Sequence, residues 1–246
     1  AQNVAVGLQA GNVNTTGSNN TFIGYQSGDE NTTASNNTTL GAFALGANST
    51  GANNVAVGAY ALDANTTANA NTALGYQALG ANTTGASNTA VGHEALDAAV
   101  TMNNNTAVGA QCMTGAVTGG QNVAVGAEAL EVNTGGDDNV AIGYRALEAN
   151  TTADNNTALG YYALVANTTG TSNTAVGSNS CDAVTTGVNN VAVGHDTLST
   201  VTVGGDNVAL GKNALKLSTG GYNIALGTDA LAASKQHLGD IGIGYQ

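Results

Sequence analysis

A short apolar phrase, Asn-(Thr/Val/Ile)-Ala-(Val/Leu/Ile)-Gly, alternates along this chain with polar runs rich in Asn, Thr and Gly. The alternation has a period of 17 residues. Its glycines run from Gly7, Gly24 and Gly41 to Gly211 in twelve equal steps, then Gly227 follows after 16 residues and Gly244 after 17. Fifteen copies of one short unit predict a solenoid, in which each unit buries its apolar face only against the next.

Numbering the 17 columns from the Asn, as in Asn71 to Ser87, exposes the elements. Column two is β-branched in every copy and column four is always Val, Ile or Leu. Column three is Ala except at Phe22, Thr39 and Gly242. Side chains alternate along a strand, so columns two and four share one face and three and five the other. This predicts a short β-strand, apolar or small on both faces. A second strand is expected over columns six to ten, with the Leu of column nine pointing inward; Gly11, Gly28, Met113 and Cys181 depart from that Leu. The remaining Ala-Asn-Thr-Thr-Gly stretch has turn chemistry. The residue missing before Asn223 falls in that turn, where a deletion costs least. A helical reading fails, because 17 residues do not sustain a 3.6-residue stripe.

Column one is Asn in fourteen copies and Asp240 in the last. Amides stacked about 4.8 Å apart can bond along the stack. Asn54, Asn71, Asn88, Asn105, Asn122 and Asn139 are therefore read as a structural ladder. The alternative for the many Asn-Thr-Thr sequons, such as Asn65 and Asn82, is glycan attachment. A strand apolar on both faces is normally covered on both. One face packs within the coil. The flat, uncharged Ala face, centred on Ala90, Ala107 and Ala124, is expected to meet another copy of the chain.

Composition sharpens this picture by exclusion. Charged residues make up 8 % and net charge is −12, with Arg145, Lys212, Lys216 and Lys235 the cations. Phosphate binding needs a basic stripe that this chain lacks, so nucleic acid and anionic membrane surfaces are not expected partners. No run of 18 apolar residues predicts membrane insertion. Cys112 and Cys181 stand in columns of Ala and Leu, four coils apart, and read as buried thiols rather than a disulfide. Both ends fall within the repeat, so one solenoid domain over 1–246, a piece of a longer protein, is expected.

The phrases at 54–58, 88–92 and 139–143 resemble the head repeats of trimeric autotransporter adhesins. They are equally similar to repeats of bacteriophage tail fibres and related proteins that end in a self-cleaving chaperone. The resemblance spans the chain. It implies an all-β fold, a parallel β-roll of about fifteen coils, three chains to a fibre, and an extracellular setting on a bacterial surface or a virion. Adhesin coils are typically shorter than 17 residues, which leaves cross-section and handedness open. It also implies attachment to a surface or host cell through a glycan or protein receptor.

Candidate chemistry is sparse. Tyr76, Tyr144 and Tyr161 in column six are possible surface-binding aromatics. His93 and His195 share a column but lie six coils apart, too far to share a metal. Glu94 and Glu128 share column seven at roughly inverting-glycosidase spacing, yet Arg145 one coil on makes Glu128 a plausible ion-pair partner. Asp137 and Asp154 stack in the turn, a poor Ca²⁺ site by themselves. No catalytic, cofactor or metal residues are assigned, and an enzyme is not expected. The expectation is the head or shaft of an extracellular trimeric fibre. The alternatives are a self-assembling filament subunit or an ice-binding solenoid, for which the adjacent Thr pairs of columns thirteen and fourteen form a broken array.

Overall fold

The structure is a computed structural model that describes residues 2–233 and 238–245. These fall into two compact units, 1–121 and 122–246. Among the described residues every element is a three-residue strand. The first unit holds β1 (Val4–Val6), β2 (Thr21–Ile23), β3 (Thr38–Leu40), β4 (Val55–Val57), β5 (Thr72–Leu74), β6 (Thr89–Val91) and β7 (Thr106–Val108). The second holds β8 (Val123–Val125), β9 (Val140–Ile142), β10 (Thr157–Leu159), β11 (Thr174–Val176), β12 (Val191–Val193), β13 (Val208–Leu210), β14 (Ile224–Leu226) and β15 (Ile241–Ile243). Within each unit successive strands pair in parallel and in chain order, so each unit is a parallel β-solenoid with one coil per repeat. Column pairs with column: Thr72 with Thr89, Ala73 with Ala90, Leu74 with Val91. Register survives the deletion, Val208 pairing with Ile224, because the turn before Asn223 absorbs it.

The expected second strand is replaced by turns. Columns five to twelve are linked by i→i+3 bonds, such as Ala78 N–H to Gly75 O (3.4 Å) and Gly80 N–H to Gln77 O (3.0 Å). Columns seven and nine adopt positive φ, +53° at both Gln77 and Leu79. A positive φ at the third position marks a type II turn. Leucine is uncommon there. Bonds between coils hold it, as in Leu79 N–H to Ala95 O (3.0 Å). The Gly of column five is required on two counts. Gly58 has φ +134°, and a Cβ on it would overlap the carbonyl of Gly75 in the next coil.

The inside of the coil differs from expectation in one decisive way. Ala90, Ala107 and Ala124 are 0 % exposed and point into the coil, as does column three from Ala56 to Ala225. The Ala face is therefore the core, not an oligomer face. The reason is volume. From Leu45 to Leu215 the leucines of column nine are also 0 % exposed and fill the interior opposite the small side chains of column three. Phe22 takes column three only where both neighbouring column-nine residues are glycine. A Cβ at Gly11 would stand 2.7 Å from the Phe22 ring, and one at Gly28 would overlap it. Gly242 shows the converse, since a Cβ there would lie 2.5 Å from Leu231.

Two buried Asn columns complete the interior. In column one the Asn71 side chain accepts from Asn88 N–H (2.9 Å) and donates to Gly85 O across the coil (2.8 Å). The same links join Asn54 to Asn71, Asn88 to Asn105 and Asn122 to Asn139. Direct amide-to-amide bonds accompany several steps, as from Asn139 to Asn122 (3.1 Å). A second ladder, unforeseen from the sequence, occupies column twelve, where Asn48, Asn65 and Asn82 each donate to the preceding amide. Where the next member is Ala99 or Val184, the ladder stops, and Asn82 Oδ1 and Asn167 Oδ1 remain buried without a hydrogen-bond partner.

Candidate functional site

With Ala inward, columns two and four face outward. This outer strand face carries Val, Thr, Leu and Ile, with no charge in any copy. Leu40 is 50 % exposed, Leu74 46 % and Leu159 44 %. Parallel strands are ordinarily covered on both faces. Contiguous exposed apolar surface is uncommon on soluble monomers.

The second feature is the edge formed by columns six, seven and ten. In the first unit five rings follow one another: Tyr25 to Phe43 (5.2 Å between centroids), Phe43 to Tyr60 (5.0 Å), Tyr60 to Tyr76 (6.2 Å) and Tyr76 to His93 (5.5 Å). Tyr76 thus belongs to a row. Beside the rings column ten reads Asp29, Gly46, Asp63, Gly80, Asp97. Two shallow grooves open there, of about 200 Å³ by Phe43 and about 280 Å³ by Tyr60, and Asp63 lines both. Desolvation, with Glu30 nearby, holds the Asp63 carboxyl above its ordinary range. Desolvation first, then Glu94, raises Asp97, and His93 opposes the rise.

In the second unit Tyr144 and Tyr161 stack at 5.7 Å, with Tyr162 edge-on to both. Arg145 lies over the Tyr144 and Tyr162 rings (5.4 and 5.9 Å). Its Nε is 2.5 Å from Glu128 and 3.7 Å from Glu148. Glu128, Glu131 and Glu148 present oxygens close enough to share an ion. The guanidinium already bonds there, so the cluster reads as an ion-pair network rather than a metal centre. Lys216 Nζ donates to Asp196 (2.9 Å) and holds that carboxyl below its ordinary range, the hydrogen bond being the main cause.

The other candidates have structural partners. Glu94 accepts from Gln111 (3.3 Å) and lies 3.6 Å from His93; His195 lies 3.4 Å from Asp196. Asp154 accepts from the Asp137 backbone (2.8 Å). Cys112 and Cys181 are buried and in no disulfide, and burial pushes both thiols up to about 12, which disfavours the reactive thiolate. Asn65 and Asn82 are fully buried ladder members, so the folded chain offers neither amide to a glycan. The column-thirteen hydroxyls of Thr66 and Thr83 donate to carbonyls one coil on, while Thr67 and Thr84 are exposed. The Thr pair is split between structure and solvent. Among the described residues no helix is long and apolar enough to cross a membrane. The chain matches no protein-family model and no curated protein.

Proposed function

We propose that the chain is the shaft or head of an extracellular trimeric fibre serving attachment to a surface or host cell, with copies meeting through the outer strand face. The observation that carries this reading is the uncharged row pair of columns two and four, repeated in every copy. A partner for such a face must repeat at about 4.8 Å and be free of charge over its length. A second copy of the same chain meets both conditions. The resemblance to adhesin and tail-fibre repeats supplies the number three and the setting. The fully buried Asn ladders supply stiffness, because each coil is bonded to the next by side chains as well as backbone.

Sedimentation velocity tests the assembly. The unmodified chain is expected to sediment with the mass of three 23.9 kDa chains. The double substitution Val91→Glu/Val108→Glu desolvates charge at the interface, so it should sediment as one chain with unchanged β-type circular dichroism. A monomeric unmodified chain contradicts the proposal.

A further inference from the structure

In the first unit the turn of each coil is tied to its neighbours by a repeated set of bonds. Each column-twelve Asn donates to the amide of the coil before, from Asn31 to Asn14 (3.2 Å) through Asn82 to Asn65 (3.1 Å). It also donates to the column-fifteen carbonyl of its own turn, as Asn82 does to Gly85 O (3.0 Å), where Asn71 of column one supplies a second donor (2.8 Å). Beside it the column-thirteen hydroxyls reach the next turn, the last of them Thr83 to Val100 O (3.1 Å). Backbone bonds run alongside, from Thr83 and Thr84 N–H to the same Val100 oxygen (3.0 and 3.3 Å).

The last two turns of that unit lack this set. Where residues 82–85 read Asn-Thr-Thr-Gly, residues 99–102 read Ala-Val-Thr-Met and residues 116–119 read Ala-Val-Thr-Gly. Columns twelve and thirteen therefore lose both amide and hydroxyl, and Asn82 Oδ1 is left buried without a partner. Among the described residues Met102 O takes one side-chain donor, Asn88 (2.7 Å), and Gly119 O takes one, Asn105 (3.1 Å). Among the same residues neither Val100 nor Thr101 repeats the backbone bond to the next turn. Met102, 1 % exposed, stands in a column that is otherwise Gly or Ala from Gly17 to Gly204, so volume is restored without the bonds. The strands are untouched, since Thr89 pairs with Thr106 and Ala90 with Ala107. The second unit loosens only in part at its own break. Val184 and Val201 interrupt column twelve there, but the Thr168 and Thr185 hydroxyls still donate to the next turn (3.0 Å each).

We infer that residues 99–102 and 116–119 form a built-in opening point, where both turns part from the stack and admit water while β6 and β7 stay paired. Local opening is drawn from the segments that break fewest bonds, and here only the column-one amides of Asn88 and Asn105 have to let go. Hydrogen bonds in a water-excluded stack strengthen one another, so a turn that lacks the whole set loses more than one bond's worth of hold. Opening also hydrates Asn82 Oδ1, whose buried, unpaired state disfavours the closed form. Methionine, unbranched and adaptable, fills such a gap by contact alone. The solenoid thus gains a place to yield without breaking its strand ladder. The turns do not include columns two and four, so the inference is independent of how copies assemble.

Amide hydrogen exchange of the full chain tests it at matched reporters. Ala99 and Ala116 N–H bond Leu96 O and Met113 O, and Asn65 and Asn82 N–H bond Leu62 O and Leu79 O, all at 3.2 Å, so local geometry does not separate the two pairs. After correction for intrinsic rates the alanine amides should exchange at least about tenfold faster, with the Val184 amide in between. Ala99→Asn/Val100→Thr/Met102→Gly combined with Ala116→Asn/Val117→Thr writes Asn-Thr-Thr-Gly into both turns and should slow positions 99 and 116 to the rate of Asn82. Equal protection in the unmodified chain, or a folded repaired chain that exchanges as fast as before, overturns the inference. Dilute peroxide gives a readout that needs no variant. Met102 and Met113 are both buried, at 1 % and 0 % exposure, so burial alone gives them equally slow oxidation. Opening predicts that Met102 sulfoxide forms well ahead of Met113 sulfoxide by peptide mass, and equal rates would overturn the inference as well.

Discussion

The two faces of each three-residue strand are built from similar residues and do opposite things. Inside, column three is confined to a methyl by the leucine of column nine, and Ala107 is 0 % exposed. Outside, Thr106 and Val108 meet no other element of their coil and keep part of their surface. Hydrophobicity does not separate the faces; volume does. The inner face is Ala in twelve of fifteen copies and takes Phe22 only beside two glycines, whereas the outer face varies freely among Thr, Val, Ile and Leu. A close-packed interior punishes any change of volume, and an open surface does not.

The largest consequence is for charge. Ala107→Glu buries an unpaired carboxylate among alanines and leucines, a cost on the order of several kcal/mol. Loss of β-type circular dichroism at room temperature is the expected result. A folded Ala107→Glu chain would place column three outside. Next in size is the compensated position. Phe22→Ala leaves a cavity between Gly11 and Gly28 and should cost about 3–5 kcal/mol in chemical denaturation. Adding Gly11→Leu and Gly28→Leu refills that space in the manner of the later coils and should recover most of the loss. Failure of the triple variant to recover would break the volume argument.

A matched pair sharpens the comparison at smaller scale. Ala90→Val adds two methyl groups inside and should cost about 1–3 kcal/mol. Thr89→Val, one residue earlier and facing out, should stay within about 0.5 kcal/mol in the same assay. Equal costs would mean that the two faces are equivalent.

The smallest effect concerns the edge, outside both faces. The folded state raises the Asp63 carboxyl, by desolvation first and by Glu30 second, so it binds a proton more tightly than the unfolded chain does. Its destabilising contribution is present above that raised value and is relieved as pH falls through it. Asp63→Asn should therefore raise Tm by a degree or so at neutral pH, roughly the scale set by a few tenths of a kcal/mol. Calorimetric scans from pH 7 to pH 4 should show the advantage shrinking. An advantage constant with pH would remove Asp63 ionisation as its cause.

The period, the strand at columns two to four, the in-register column-one ladder and the inward Leu of column nine are all legible in the sequence. They follow from spacing and alternation alone. The orientation of the strand is not, because alternation separates column three from columns two and four without saying which set is inside. The deciding signal was nevertheless present: Phe22 is flanked by Gly11 and Gly28, the two glycines in a column of leucines. Such an exchange of volume means that columns three and nine touch. The false second strand has a similar lesson. Ala78 and Leu79 are consecutive and both buried, which alternation forbids. The left-handed Gln77 and Leu79 oppose local propensity, and only the bonds between stacked coils reveal why they are tolerated. Column twelve reads as plain turn chemistry because Asn-Thr-Thr is a loop pattern; the ladder from Asn48 to Asn82 depends on how coils stack. At the edge, the tyrosines were visible as a column. Their conjunction with Phe43 and the Asp-Gly alternation of column ten needed the positions of the turns.

Site-specific cross-linking tests the central claim, that copies meet on the outer strand face, most directly. In a background of Cys112→Ala and Cys181→Leu, which restores the usual residues of those columns, a cysteine is placed by Val91→Cys on the outer face or by Thr84→Cys in the exposed turn. Mild oxidation of native protein is then followed by denaturing electrophoresis. The account predicts interchain disulfides in high yield from Val91→Cys and few from Thr84→Cys. Equal yields from the two positions, or monomers from Val91→Cys, would contradict it.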